Sequence, residues 1–363
     1  MQKSGVVGCV LIVAGGLFLS GDGNAGSLEP PGPPAPTMKT IQDAEPRIAI
    51  KSVPFTISAP GSYYLAGNLT GVSGQNGITI TTSQVTVDLN GFALVGVSGS
   101  AAGIIANLGN QRQISIRNGV VKGWGNWGIL LNSADSHVDD LRIELNGFDG
   151  LYAGQHTIVQ DTIATLNGAT GITVGPASVI TGCTVIANTS HGIVADIGST
   201  VSGTVSGSNG SLGFQLNSDT IAANCTAVSN LTGFSLGARS RVTHSLARAN
   251  GVGFNGTSGG VAIEECTAGA NTNDGIFVVS SSVVRGNTAV GNTNDGIQAS
   301  GTDNVIEGNV VSLGSTGIRV DAANNLIVKN RVSSTTTFYS IVAGNKVGTI
   351  SPDPATAGPW ANF

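Results

Sequence analysis

Charged and aromatic side chains are scarce in this 363-residue chain: 10% of the residues are charged, 5% are aromatic, and the formal net charge is −5. No basic stripe is present, which argues against nucleic-acid binding. The sequence also lacks a nucleophile elbow, a P-loop, a dinucleotide fingerprint, a C-x-x-C pair and the spacing of zinc ligands. The sequence therefore gives no motif-based evidence for the enzyme classes that these motifs mark.

Glycine is abundant instead, with 54 residues, and 40% of the chain is hydrophobic. The glycines follow no G-X-Y period, which excludes collagen, and the apolar fraction argues against a disordered chain. Residues that favour helices are few, whereas Val, Ile and Thr recur throughout. The composition therefore predicts a large, β-rich protein.

The first 25 residues have the features of a secretory signal peptide. Lys3 supplies the positive charge, Val6–Leu19 is apolar, and Gly23-Asn24-Ala25 is typical of a cleavage site. The apolar stretch is about 14 residues long, too short for a membrane span of about 20. We predict a signal peptide over 1–25, a Pro-rich linker over 26–39, and a secreted, periplasmic or cell-surface protein without a membrane span.

An internal repeat, N-x-x-(x)-G-[IF], organises the rest of the chain. Successive motifs lie 20 to 22 residues apart. The repeated glycines are Gly150, Gly171, Gly192, Gly213, Gly233, Gly253, Gly275 and Gly296, with Gly317 next. A period of this length predicts a solenoid or a propeller.

Inside each unit, small or apolar residues alternate with polar ones, which predicts two or three short strands and no helix. The leucine-rich pattern is absent, and WD40 and kelch units are twice as long. The sequence therefore predicts an all-β, single-domain, right-handed parallel β-helix with roughly 10–12 coils of about 21 residues. We place its coils at 77–347, an N-terminal cap with entry strands at 40–76, and a C-terminal tail or cap at 348–363.

One asparagine recurs at the same turn of eight successive coils. Stacked amides can hydrogen-bond along the axis and satisfy backbone groups at a bend, and we expect the glycine that follows to supply the positive φ. The predicted ladder consists of Asn146, Asn167, Asn188, Asn209, Asn230, Asn250, Asn271 and Asn292.

Three cysteines share one inward column on alternate coils: Cys183, Cys225 and Cys266. Alternate coils are about 9.6 Å apart, whereas a disulfide needs Cα atoms closer than about 7 Å. We predict unpaired core thiols.

The segments Pro60–Leu69, Ile78–Ile80 and Val85–Gly96 resemble the entry coils of bacterial right-handed β-helix proteins of the pectate-lyase-like superfamily. The resemblance covers Ser58 to Val347 and includes the repeats. It implies the β-helix fold and, because many members act on polysaccharides, a polysaccharide ligand. The W-x-D-H, R-x-P-x-x-R and D-P-H motifs of its lyases and epimerases are absent, so no particular reaction is implied.

Charged and aromatic residues concentrate on the outward side of the coils near residues 122–161. The candidate catalytic residues are Asp140, Arg142, Glu144 and Asp161, and the candidate substrate-binding residues are Lys122, Trp124, Trp127, Asp149 and Tyr152. Aromatic faces stack on sugars, and paired carboxylates can divide acid and base roles or bind calcium. The alternative is a solvated surface with weak salt bridges between coils.

Two smaller clusters are also candidates. His244 and Arg248 share a coil with Glu265 on the next, where a His–Glu pair could act as a general base and Arg248 could bind substrate. Asp274 and Asp295 recur in identical TNDGI units on adjacent coils and could share Ca²⁺. Incidental pairing and ordinary turn residues are the alternatives.

Two hypotheses follow. The first is a secreted β-helix that binds an extended, acidic polysaccharide along its outer sheet and, if it is an enzyme, cleaves or epimerises it with Ca²⁺ as the one candidate cofactor. The second is a non-catalytic surface scaffold whose long rigid face recruits a protein, an envelope component or another copy.

Overall fold

The computed structural model describes residues 45–353 and 355–363. By its internal contacts the chain divides into two units, Met1–Pro46 and Arg47–Phe363. The predicted signal peptide and linker lie outside the described residues. No helix in the described ranges is long and apolar enough to cross a membrane.

The second unit is a parallel β-solenoid of about 14 turns with a spacing of about 21 residues. Each coil contributes one strand to each of three sheets, here named A, B and C in chain order, and equivalent strands of successive coils pair in parallel. The number of turns exceeds the 10–12 predicted, because less regular segments at both ends also form coils of the solenoid.

Sheet A consists of Ile48–Ile50, Gly61–Leu65, Val85–Asp88, the first halves of Ile114–Lys122 and His137–Glu144, Ile158–Gln160, Val179–Thr181, Thr200–Ser202, Ile221–Ala223, Arg241–Thr243, Ala262–Glu264, Val283–Arg285, Val305–Glu307, Leu326–Val328 and Lys346–Val347.

Sheet B consists of Leu69–Thr70, Ala93–Val95, the second halves of Ile114–Lys122 and His137–Glu144, Ile163–Thr165, Thr184–Ile186, Val205–Gly207, Thr226–Val228, Leu246–Arg248, Thr267–Gly269, Thr288–Val290, and the first halves of Val310–Val320 and Arg331–Ile341.

Sheet C consists of Phe55–Ile57, Ile78–Ile80, Ile104–Ala106, Ile129–Leu131, Leu151–Ala153, Ile172–Val174, Ile193–Ala195, Leu212–Leu216, Thr232–Leu236, Val252–Gly256, Ile276–Val278, Asp295–Ala299, and the second halves of Val310–Val320 and Arg331–Ile341.

The asparagines at the corner between sheets B and C form a continuous ladder inside the solenoid. The Oδ1 of Asn167 accepts both the backbone N–H and the side-chain amide of Asn146, at 3.2 and 3.0 Å. The amide of Asn167 in turn donates to Oδ1 of Asn188 at 3.0 Å, and the pattern continues to Asn292. Each amide thus satisfies backbone groups that the corner leaves unpaired.

The positive φ at this corner belongs to the residue before each asparagine, not to the following glycine as expected. Leu145 and Leu166 have φ of 57° and 56°. Gly150 is required for space instead, because a Cβ there would lie 2.7 Å from both Nδ2 of Asn167 and the carbonyl oxygen of Gly171.

Two further asparagine ladders, absent from the sequence interpretation, continue at the other corners towards the C-terminal end. At the corner between sheets A and B, the backbone N–H of Cys266 donates to Oδ1 of Asn287. The series then runs through Asn309 and Asn330 to Asn362. At the corner between sheets C and A, the members are Asn304, Asn325 and Asn345.

The core lies between the three sheets and consists of Ile, Val, Leu and Ala columns. Phe214, Phe234 and Phe254 stack in successive coils with ring centroids 4.6 and 4.9 Å apart. Cys183, Cys225 and Cys266 are buried and free, which confirms the predicted core thiols. Burial raises their pKa values to about 11, 11 and 12.

Candidate functional site

The charged half of the predicted patch lies on sheet B and its corner with sheet A. Glu144 pairs with Arg142 on its own strand and with Lys122 on the preceding coil, where Nζ and Oε1 are 3.9 Å apart. Asp140 and Asp161 occupy successive positions of the corner, with φ of 49° and 47°. Ion pairs therefore join Lys122, Arg142 and Glu144. Asp140 and Asp161 lie at the neighbouring corner, and Tyr152 lies on a different sheet, sheet C.

Trp124 is not a substrate-binding platform, which corrects the prediction. Its side chain is 1% exposed, and its indole N–H donates to the carbonyl oxygen of Leu94 at 3.1 Å. Its backbone N–H donates to Oδ1 of Asn146, so Trp124 occupies the inward ladder position of its coil. A Cβ on Gly71 or Gly77 would overlap the indole ring. The ring is core packing and offers no face to a ligand.

Trp127, Phe148 and Tyr152 line a groove on the outer side of sheet C with a volume of about 330 Å³. The rings of Trp127 and Phe148 meet edge to face with centroids 5.2 Å apart. Tyr152 pairs in register with Leu130, so both side chains form the floor. We call this feature the aromatic groove; its remaining lining residues are Asn107, Asn132 and Asp149.

A second depression of about 250 Å³ continues the aromatic groove across further coils. It shares Asn132 and Tyr152 with the first and extends past Gln155 to Asp196. Gly154 lies against the preceding coil, where a Cβ would be 2.3 Å from the carbonyl oxygen of Ser133. The groove therefore runs along the solenoid axis rather than into the core.

Asp149 is the titratable group set deepest in the groove lining. It is 8% exposed, and its Oδ1 accepts the backbone N–H of Thr170 at 2.8 Å. Burial raises the pKa of this carboxyl. Two coils on, His191 accepts the backbone N–H of Leu212 through Nδ1, and burial lowers its pKa. His191 is not among the site residues predicted from the sequence.

His244 and Glu265 are brought together as expected, since Nε2 and Oε2 are in ion-pair contact at the corner between sheets A and B. Both side chains are largely exposed and line a shallow depression with Thr226. Arg248 does not join them, because it ends the strand Leu246–Arg248 and points outward from sheet B. The predicted three-residue cluster is therefore a pair.

Asp274 and Asp295 lie on adjacent coils, but their geometry does not match the calcium site that the sequence suggested. Oδ1 of Asp274 accepts the side-chain amide of Asn294 and the backbone N–H of Asp295, at 2.8 and 3.1 Å. Asp295 is 1% exposed, and its Oδ2 lies 3.8 Å from Nη1 of Arg319. Calcium needs six to eight oxygen ligands, and no group of three or more His, Cys, Asp or Glu among the described residues could hold a metal ion.

Comparisons with known proteins agree with this architecture. Residues 238–351 match a family model described as periplasmic copper-binding protein (NosD). No curated protein matches the chain. Among solved structures, the mannuronan C-5 epimerase AlgE4 A-module of Azotobacter vinelandii aligns with a TM-score of 0.57 and 14% identity, covering 80% of this chain and 91% of that one.

Two further solved structures align less closely. The AlgE6 A-module of the same organism gives a TM-score of 0.45 with 12% identity over 83% of this chain and 88% of its own. Pectate lyase Pel9A gives 0.44 with 15% identity over 83% and 74%. The fold assignment rests on the alignment with the AlgE4 A-module. This alignment confirms the predicted right-handed parallel β-helix fold.

Proposed function

We propose that the protein binds an extended polysaccharide in the aromatic groove. The observation that carries the proposal is the presence of three partly exposed rings, Trp127, Phe148 and Tyr152, beside the amides of Asn107 and Asn132. Apolar faces with a few fixed polar groups are typical of ligand sites, and aromatic rings pack well against the C–H faces of sugars. The open, elongated shape suits a polymer better than a small enclosed ligand.

The charge of the groove favours a neutral glycan over the acidic one of the first hypothesis. Asp149 and Asp196 lie in its lining, and none of the described lining residues is Lys or Arg. Like charges brought together across an interface oppose binding. The basic side chains that an acidic chain would need, Lys122 and Arg142, are on sheet B and engaged by Glu144.

The comparisons support this proposal at a general level. The AlgE4 A-module has the same fold and is named for its action on mannuronan, an acidic polysaccharide, so it supports a polysaccharide ligand and not the neutral charge inferred from the groove. The matching family model is described as periplasmic, which supports the predicted export.

The proposal is tested by titrating the protein with neutral glucans, mannans and xylans and with alginate and polygalacturonate, using isothermal calorimetry. Tyr152→Ala and Trp127→Ala should each lower the affinity for the bound neutral glycan by roughly tenfold or more. Phe277→Ala is the matched control, because Phe277 is a half-buried outward residue of sheet C that lies outside the groove lining.

Absence of binding to every glycan, or an equal loss in the Phe277→Ala variant, would overturn the proposal. The same mixtures are analysed for shortened or unsaturated products, with and without calcium. Such products from alginate or polygalacturonate would support the cleaving activity of the first hypothesis instead, and inverted C-5 centres in an uncut polymer, detected by NMR, would support the epimerising activity.

A further inference from the structure

Negative charge is concentrated on one of the three sheets. We define the sheet C face as the strands of sheet C together with the two residues before each strand and the one residue after it. Among the described residues, its charged side chains are Asp149, Asp196, Asp274, Asp295, Arg319 and Asp321. With five carboxylates and one guanidinium, the face has a formal charge of −4, and the whole chain has −5. Burial lowers the pKa of His191, the histidine of this face, so it adds no positive charge near pH 7.

The two carboxylates in the lining of the aromatic groove have no cationic partner. Oδ1 of Asp149 accepts the backbone N–H of Thr170, and Oδ1 of Asp196 accepts the side-chain amide of Asn217 and the backbone N–H of Ile197, at 2.9 and 2.8 Å. Neither Oδ2 makes a hydrogen bond or an ion pair with a described residue. The donors that hold these side chains are neutral, so the negative charge of the groove is not compensated.

A second group of carboxylates, here called the acidic cluster, consists of Asp274, Asp295 and Asp321 and begins four coils beyond Asp196. Its one guanidinium, that of Arg319, donates through Nε to Oδ1 of Asp321 at 2.8 Å. Oδ2 of Asp295 is buried without a hydrogen-bond partner, 3.8 Å from Nη1 of Arg319. Burial accordingly raises the pKa of Asp295. Three carboxylates thus share one cation, and a further positive group would stabilise their ionised forms.

We propose that the polysaccharide bound along the sheet C face carries free amino groups, and that Asp149, Asp196 and the acidic cluster attract their protonated forms. This inference rests on the proposed function, because the aromatic groove supplies the sugar-binding surface. Carboxylates without a cationic partner attract a cation, and complementary potentials of this kind discriminate between ligands of similar shape. Trp127 and Tyr152 add cation–π attraction for an ammonium group.

The distribution of charge along the axis suits a polymer. Asp196 and Asp274 lie four coils apart, which is about 19 Å at a coil spacing of about 4.8 Å. Between them the outward column of the described face is polar and uncharged, with Gln215, Ser235 and Asn255. A linear chain of several sugars therefore reaches both groups of carboxylates, whereas a single amino sugar reaches only one. Linked contacts of this kind raise the overall affinity.

Oligosaccharides with the same backbone and different charge test the inference. The probes are hexamers of β-1,4-linked glucosamine, N-acetylglucosamine and glucose, titrated by isothermal calorimetry at pH 6 and low ionic strength. The glucosamine hexamer should have a dissociation constant at least roughly tenfold lower than the other two, whose sugars are uncharged. About 1 M NaCl should remove most of this difference, because salt screens interactions between exposed charges.

Charge-removing variants locate the preference on the sheet C face. Asp196→Asn keeps an acceptor for Asn217 and should reduce the preference for glucosamine by roughly threefold or more. Asp321→Asn should do the same for longer glucosamine polymers, which extend to the acidic cluster. Asp139→Asn is the matched control, because this carboxylate also accepts a side-chain amide from the next coil, that of Gln160, but lies on sheet A. Circular dichroism checks that each variant is folded.

The outcomes separate this inference from the proposed function. Equal affinity for the three hexamers, lost in Tyr152→Ala, would leave the proposed function intact and overturn the inference. No binding of any hexamer, or binding of the glucosamine hexamer that Tyr152→Ala does not weaken, would overturn both. An equal effect of Asp139→Asn and Asp196→Asn would reveal a general charge effect and overturn the inference. Tight binding of polylysine that is insensitive to Tyr152→Ala would assign the face to a basic protein and overturn it too.

Discussion

The side-chain oxygen of Asn167 accepts two hydrogen bonds from Asn146, one from its backbone N–H and one from its amide, at 3.2 and 3.0 Å. This unit repeats along eight coils and ties each coil to the next through buried polar groups. The corners of the solenoid are consequently specified by hydrogen bonds that only a side chain with both an acceptor and a donor can make.

Replacing an asparagine in the middle of the ladder should destabilise the protein strongly. Asn209→Leu removes the acceptor for Asn188 and the donor to Asn230, and leaves buried backbone groups unpaired. We expect the free energy of unfolding to fall by about 2–4 kcal/mol, measured by urea denaturation. The control is Asn110→Leu, at an exposed position. Equal stability of the two variants would contradict the ladder.

The glycine of each repeat should tolerate no side chain, for steric reasons alone. At Gly171 a Cβ would lie 2.2 Å from Cγ1 of Val185 and 2.7 Å from Nδ2 of Asn188. Gly171→Ala should therefore lower the free energy of unfolding by about 1–3 kcal/mol. Thermal denaturation measures this as a lower melting temperature. Gly67→Ala is the control, because a Cβ there would meet no heavy atom within 4 Å and the φ of Gly67 is not positive. An unchanged free energy of unfolding in Gly171→Ala would show that neighbouring coils can move apart to accept a side chain there, which would contradict the steric argument.

Most of the fold follows from the period of the sequence, whereas the site does not. A residue such as Asn146 recurs at a fixed spacing, so its place in the turn is visible from the sequence alone. Trp124 breaks the pattern once. Nothing in the neighbouring sequence shows that it takes, on its own coil, the inward position that Asn146 takes on the next coil. Likewise Phe148, which completes the aromatic groove, is one exposed ring next to a turn and carries no periodic signal.

The charged residues show the same limit. Spacing places Glu144 and Arg142 on one strand, but it does not reveal that Tyr152 lies on another sheet and that Trp127 lies beside it at the corner before Ile129–Leu131. The direction of an outward side chain depends on which of three sheets its strand joins, and the corners that decide this are set by single residues with positive φ, among them Leu145. A leucine at such a position gives no warning in the sequence.

The buried cysteines should be unreactive in the folded protein. Burial raises the pKa values of Cys183 and Cys225 to about 11 and that of Cys266 to about 12, so all three are protonated thiols at pH 8. Iodoacetamide at pH 8 should label their peptides rapidly only after denaturation, because the thiolate is the nucleophile. Mass spectrometry of the digested protein measures this. Rapid labelling of Cys225 under native conditions would show that the coils open locally.

Asp149 should make stability depend on pH in a direction opposite to that of a salt-bridged acid. Burial raises its folded-state pKa above the ordinary 3.8, so ionisation opposes folding. Below pH 3.8 the carboxyl is protonated in both states, and its burial then carries no charge penalty. Between 3.8 and the raised value, only the folded state retains the proton, so stability is lost as the pH rises through this window.

Asp149→Asn should therefore be more stable than the wild type at pH 7 and lose that advantage near pH 3, because its amide oxygen can still accept the N–H of Thr170. Urea denaturation at both pH values measures the difference. Asp303→Asn, at a left-handed corner position far along the chain, is the matched substitution outside the groove. An Asp149→Asn variant that is less stable at pH 7 than at pH 3, relative to wild type, would show that the ionised carboxylate stabilises the groove.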